Sequence, residues 1–100
     1  MEEAIRWTFP ENIKFEEVSD YLDRFKHIDA SQKIIFDLTD TINIHSSFIG
    51  FMINAKHLTV RNGGSLTLRL SFTVERILTM LNIIDYFLPE VVTEIDKKSA

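Results

Sequence analysis

At 100 residues the chain is sized for one domain, and with 45% hydrophobic and 26% charged residues it is composed to fold rather than to stay disordered. A net charge of −4 argues against a nucleic-acid binder, which needs a basic face to gather phosphates. The lack of cysteine excludes disulfides and thiolate chemistry and allows a cytoplasmic setting. No apolar run approaches the roughly 20 residues of a membrane span. The acidic start Met1-Glu2-Glu3 lacks the basic opening and apolar core of a signal peptide.

In chain order, Ala4 to Phe9 alternates, with Ile5, Trp7 and Phe9 on one side and Arg6 and Thr8 on the other. This is the pattern of a short half-buried strand, ended by Pro10. From Lys14 to Phe25 the apolar residues Phe15, Val18, Leu22 and Phe25 fall at helical spacing, with Tyr21 beside them. Glu16, Glu17, Asp20, Asp23 and Arg24 form its solvated face. After the polar connection Asp29-Ala30-Ser31-Gln32, Lys33 to Leu38 reads as a strand. Its unbroken apolar run from Ile34 to Phe36 is that of a central strand covered on both faces. Asp37 lies near its carboxyl end. Two readings stay open for it: a position at the end of an open α/β sheet where ligands and partners dock, or a cap for the following loop.

A second helix is expected from Ser46 to Asn62, stopped by Gly63-Gly64. Its apolar arc is wide. Leu58, Phe51, Ala55, Phe48 and Met52 make one stripe, and Ile49, Ile53 and Val60 make a second. Either more than one neighbour covers this helix, or its first turn shows Phe48 or Ile49 to a partner. Ser65 to Leu70 alternates as another strand. Ser71 or Thr73 then caps a helix bearing Val74, Ile77, Leu78 and Leu81, and Asn82 stands where a left-handed C-cap is needed. Tyr86 to Leu88 is expected to form a last short strand. Pro89 to Ile95 would add a turn of helix or an edge segment, and the ends, 1–3 and 97–100, are expected to fray.

The resulting β-α-β-α-β-α-β order predicts a single α/β domain over residues 1–100. It requires right-handed crossovers and a mostly parallel central sheet of about four strands with helices packed on it.

The usual phosphate cradles, G-x-G-x-x-G and G-x-x-x-x-G-K-[ST], are absent, as is the G-x-S-x-G elbow. His27, His45 and His57 lack partners at metal-ligand spacing, so neither a metal nor a cofactor is expected. Ser46 beside His45 resembles a nucleophile with its base, but adjacent residues seldom point at one another. The residues therefore describe a binding module rather than an enzyme.

Several pieces fall in an order that resembles a known family. They are the strand Ile34-Ile35-Phe36-Asp37-Leu38, then His45-Ser46-Ser47-Phe48-Ile49-Gly50 opening a helix, then Asn62-Gly63-Gly64, Leu66-Thr67-Leu68, and Leu78-Thr79-Met80-Leu81-Asn82-Ile83. Together, residues 33–87 are similar to the STAS domain of bacterial anti-sigma-factor antagonists and of sulfate-transporter tails, whose pattern places D-S-S-G-L-G at the start of that helix. The resemblance implies a cytoplasmic signal-transduction protein acting by partner switching. It would bind a serine kinase that is itself the anti-sigma factor while unphosphorylated, let go on phosphorylation, and be reset by a phosphatase. It places the phosphoacceptor at Ser46, with Asp37, Asn43, His45 and Ser47 as neighbours, and a partner-binding surface at Phe48, Ile49, Gly50 and Ile53. His45 stands where the family has Asp, Phe48 stands where it has Gly, and the opening hairpin is shorter. A different reading is a constitutive accessory subunit, similar to the STAS partners of lipid-transport ATPases, that docks without phosphorylation. A nucleotide-binding STAS domain is a third. Homodimerisation through the apolar helix start is left open, and Ser46 and Ser47 could serve simply as helix caps.

Overall fold

The computed structural model describes residues 4–93, so the fraying expected at 1–3 and 97–100 lies outside the described residues. The elements are β1 (Ile5–Thr8), β2 (Asn12–Ile13), α1 (Phe15–Phe25), β3 (Lys33–Leu38), β4 (Asn43–Ile44), α2 (Ser46–Arg61), β5 (Ser65–Leu70), α3 (Phe72–Met80), a 3₁₀ turn at Ile84–Tyr86 and β6 (Val91–Thr93). The main sheet has the order β1-β3-β5-β6, with every pair parallel. This is the expected α/β fold with helices packed on a parallel sheet.

The strand order has a consequence. Each crossover steps to the next position in the same direction. Right-handed crossovers that all step one way put their helices on the same side of the sheet. Burial follows that rule. Ile34, Phe36 and Leu38 of β3 and Leu66, Leu68 and Leu70 of β5 are buried, and they form one core with Val18, Phe51, Val74 and Leu78 from the three α-helices. Of the alternate residues, Lys33, Ile35, Ser65, Thr67 and Arg69 are exposed or half-buried, and Asp37 at the end of β3 is buried. The expectation that β3 is covered on both faces is therefore corrected: among the described residues one face is open, and Ile35 sits on it outside the core cluster. Because the order never reverses, the sheet also lacks the switch-point crevice that receives ligands in doubly wound folds.

The core is aromatic where α1 and α2 meet β1 and β3. Trp7 packs on Phe9, Tyr21, Phe25, Phe36 and Phe51 with ring centroids 5.3–6.4 Å apart. Val18, Tyr21 and Phe25 form the buried stripe of α1. Phe15 lies about 90° round from the middle of that stripe, at 100° per residue, and is 64% exposed. It was expected in the core and lies outside it.

Helices α2 and α3 both end in Schellman turns. After α2, Gly63 takes a φ of 82° and the amides of Gly63 and Gly64 bond Val60 and Thr59. Gly64 is required for a separate reason: a Cβ there would overlap the carbonyl oxygens of Ala30 and Gln32. After α3, Asn82 has a φ of 61° and the amides of Asn82 and Ile83 bond Thr79 and Leu78, as its sequence position implied. Ser71 caps α3 by accepting from the Val74 amide at 3.1 Å. The strand expected at Tyr86 to Leu88 is instead the 3₁₀ turn, which swings the chain back from α3 and seats Phe87 in the core at 2% exposure. The edge strand that closes the sheet is β6, within the segment expected to form a turn or an edge.

Candidate docking site

The loop between β3 and α2 is pinned before it reaches the helix. Asp37 sits at the end of β3. One of its carboxylate oxygens accepts from the Thr39 amide at 3.0 Å and the Thr39 hydroxyl at 2.6 Å. The other accepts from Arg6 Nε at 3.3 Å and Nη2 at 3.0 Å. Burial pushes the Asp37 carboxyl up, but the bonds from Thr39 and the Arg6 guanidinium outweigh it and hold the group below its ordinary range. Of its two readings, the geometry supports the loop cap.

Thr41 is buried and donates to the Pro10 carbonyl at 2.7 Å, and its own carbonyl accepts from Ser71 Oγ at 2.7 Å. The amides of Ile42 and Asn43 bond the Glu11 carbonyl, and the His45 amide bonds that of Ile13. These bonds frame a small parallel ladder of β2 and β4, which the sequence did not suggest because two residues are too few to show periodicity. Asn43 donates to Asn12 Oδ1 at 2.7 Å across it. Asn43 thus serves the ladder.

The ladder delivers His45 to the N-cap of α2 in extended backbone, φ −79° and ψ 149°. Its Nδ1 accepts from the Ser47 amide at 3.1 Å and lies 2.9 Å from Ser47 Oγ. An acceptor Nδ1 places the ring proton on Nε2. The cap is therefore His45 rather than Ser46 or Ser47. The imidazole faces Ser47 and not its sequence neighbour Ser46, and among the described residues no carboxylate pairs with the ring. Ser46 occupies the first helical position. It is exposed, and its hydroxyl has no hydrogen-bond partner among the described residues.

Phe48 is fully buried, with ring centroids 5.0 Å from Phe9, 6.0 Å from Tyr21 and 5.5 Å from Phe51. Its expected place in a partner-binding surface is corrected: helical geometry turns it under α2 into the aromatic core. Most of the wide apolar arc is satisfied by burial of Phe48, Phe51, Met52 and Ala55, with Ile49, Ile53 and Leu58 half-buried along the flanks, while Val60 is exposed. Of the expected surface residues, Ile49 and Ile53 remain partly accessible and Gly50 is exposed.

Between α1 and α2 the surface opens into a hollow of about 510 Å³ lined by Phe15, Glu16, Val18, Ser19, Leu22, Ser47, Gly50 and Phe51. Phe15 stands at one end of it, its ring centroid 5.2 Å from that of His45. Sequence reasoning missed this feature because the helical period places Phe15 near the core stripe. The available signal was its position as the first residue of the helix, where less structure lies over it.

No helix among the described residues is long and apolar enough to cross a membrane. No protein-family model matches the chain, and no curated protein matches it.

Proposed function

We propose that the chain is a protein-docking module of the anti-sigma-factor-antagonist kind, presenting the start of α2 to a partner and switched by phosphorylation of Ser46. The carrying observation is the placement of two serines. Ser47 is engaged with the His45 cap, whereas the Ser46 hydroxyl points to solvent at the first helical position, beside an apolar hollow. The first turn of α2 contains no acidic residue. A phosphate there would meet the positive end of the helix dipole. It would also bring about −1.5 to −2 charges to a docking surface whose hollow is mostly apolar. In the reaction the Ser46 oxygen takes the γ-phosphoryl group of ATP, and ADP and a proton leave. The partner in this reading is a serine kinase that doubles as anti-sigma factor, with a phosphatase to reset the switch and a cytoplasmic setting for both.

The test is intact-mass spectrometry of the protein from its native cells with the modified site mapped, followed by calorimetry of Ser46→Ala and Ser46→Asp with the purified partner. The expected result is a phosphate on Ser46, binding retained by Ser46→Ala, and binding weakened by Ser46→Asp. Equal affinity of the two variants would overturn the switch.

One observation favours a second reading. His45 fills the cap position with an uncharged acceptor, where the antagonist pattern has a carboxylate. A constitutive accessory subunit, docking on an ATPase of a lipid-transport system through the same face, needs no phosphorylation. An unmodified Ser46 under several stresses selects it.

A further inference from the structure

Gly50 has no role in holding this chain together. It lies inside α2, where glycine is a poorer helix former than alanine. A Cβ built on it meets nothing within 4 Å, and its φ is not in the left-handed region. The other two glycines have internal reasons, the positive φ of Gly63 and the close approach at Gly64. What Gly50 does is leave the hollow open. A helix position kept bare without an internal contact is suited to close approach by something outside the fold.

Three features point to the same occupant. First, an exposed knob and the hole beside it share one face: Phe15 projects at 64% exposure and borders the hollow over Gly50. A two-fold contact requires that arrangement, since residue i must meet residue j and j must meet i. Second, no charged residue occurs between Ser46 and Ala55, although the chain carries a net charge of −4. On the surface of α2 the neighbours of Gly50 are Ser46, Ser47, Ile53 and Asn54, at spacings of three and four. Near a two-fold axis every charge faces its own kind, so the neutral start of α2, rather than the α1 side where Glu16 lines the hollow, is the part of this acidic chain best able to meet itself. Third, the hollow is mostly apolar and of the size of a large side chain with room to spare.

We infer that this face binds a second copy of the chain, with α2 crossing its partner near Gly50 and Phe15 of each protomer entering the hollow of the other. The inference goes beyond the switch reading and does not depend on phosphorylation. It does mean that Ser46 would be shielded in the dimer and available in the monomer.

Sedimentation velocity on the full chain from about 1 µM to about 1 mM tests it. The expected result is a concentration-dependent dimer for the natural sequence. Phe15→Ser and Gly50→Leu should each weaken the dimer by at least about tenfold, the first by removing the knob and the second by filling the hole. Neither should harm the monomer, because Phe15 is exposed and Gly50 has open space around it. Thermal unfolding checks this, with Gly50→Leu expected to melt at or above the natural temperature. A monomer across the whole range overturns the inference. A dimer that survives both variants also overturns it and points elsewhere, for example to the exposed Phe72, Met80 and Leu81 around α3. Neither failure bears on Ser46 phosphorylation, which the mass measurement decides.

Discussion

Phe48 and Phe15 exchange roles between pattern and structure. Phe48 stands beside the serines and looks like docking surface in the sequence, yet it is sealed beneath α2. Phe15 falls near the core stripe of its helix, yet it stands in solvent beside His45. The difference is angular: at 100° per residue Phe48 lies inside the apolar stripe of α2, whereas Phe15 lies at the edge of the stripe of α1. Phe48→Ala is therefore expected to cost about 3–5 kcal/mol of folding stability, the range for emptying a buried phenylalanine site. Urea unfolding checks this. A loss below about 1 kcal/mol would return Phe48 to the surface.

At the scale of the element, α2 owes its start to His45. The imidazole accepts from the Ser47 amide, and the His45 carbonyl accepts from Phe48 at 2.9 Å. An aspartate at the same place could accept the same amide and add a negative charge to the positive end of the helix. His45→Asp is expected to raise stability by about 0.3–1 kcal/mol, whereas His45→Ala should lower it by about 0.5–2 kcal/mol. Thermal unfolding of both variants at neutral pH reads the two signs. A destabilised His45→Asp would mean that the ring's contact with Phe15 outweighs the cap.

At the scale of the whole molecule, the one-way strand order divides the sheet into a covered face and an open one. Neighbouring residues of β3 then differ sharply in what they hold. Ile35 lies on the open face in register with Arg6 and Thr67, while Phe36 is fully buried in register with Trp7 and Leu68. Ile35→Thr should change stability by no more than about 1 kcal/mol. Phe36→Ala should cost about 3–5 kcal/mol. Comparable losses at the two positions, measured by urea unfolding, would mean that the open face is covered in solution.

Much was legible before any coordinates. The strands Lys33–Leu38 and Ser65–Leu70 keep the bounds that their apolar patterns set. The α/β order, a cap for α3 at Ser71 or Thr73, the glycine stop after α2 and the left-handed Asn82 follow from local chemistry, because a period, a cap and a turn are each decided within a few residues. Ser46 and Ser47 could be placed at a helix start for the same reason. Which serine is engaged, which phenylalanine is covered, that Asp37 is bound by Arg6 from a strand 31 residues away in sequence, and that one sheet face stays open were decided only by tertiary structure. These depend on register and on the side to which each crossover turns. Both are relations between distant segments, and a one-dimensional pattern specifies them only through the packing that it produces.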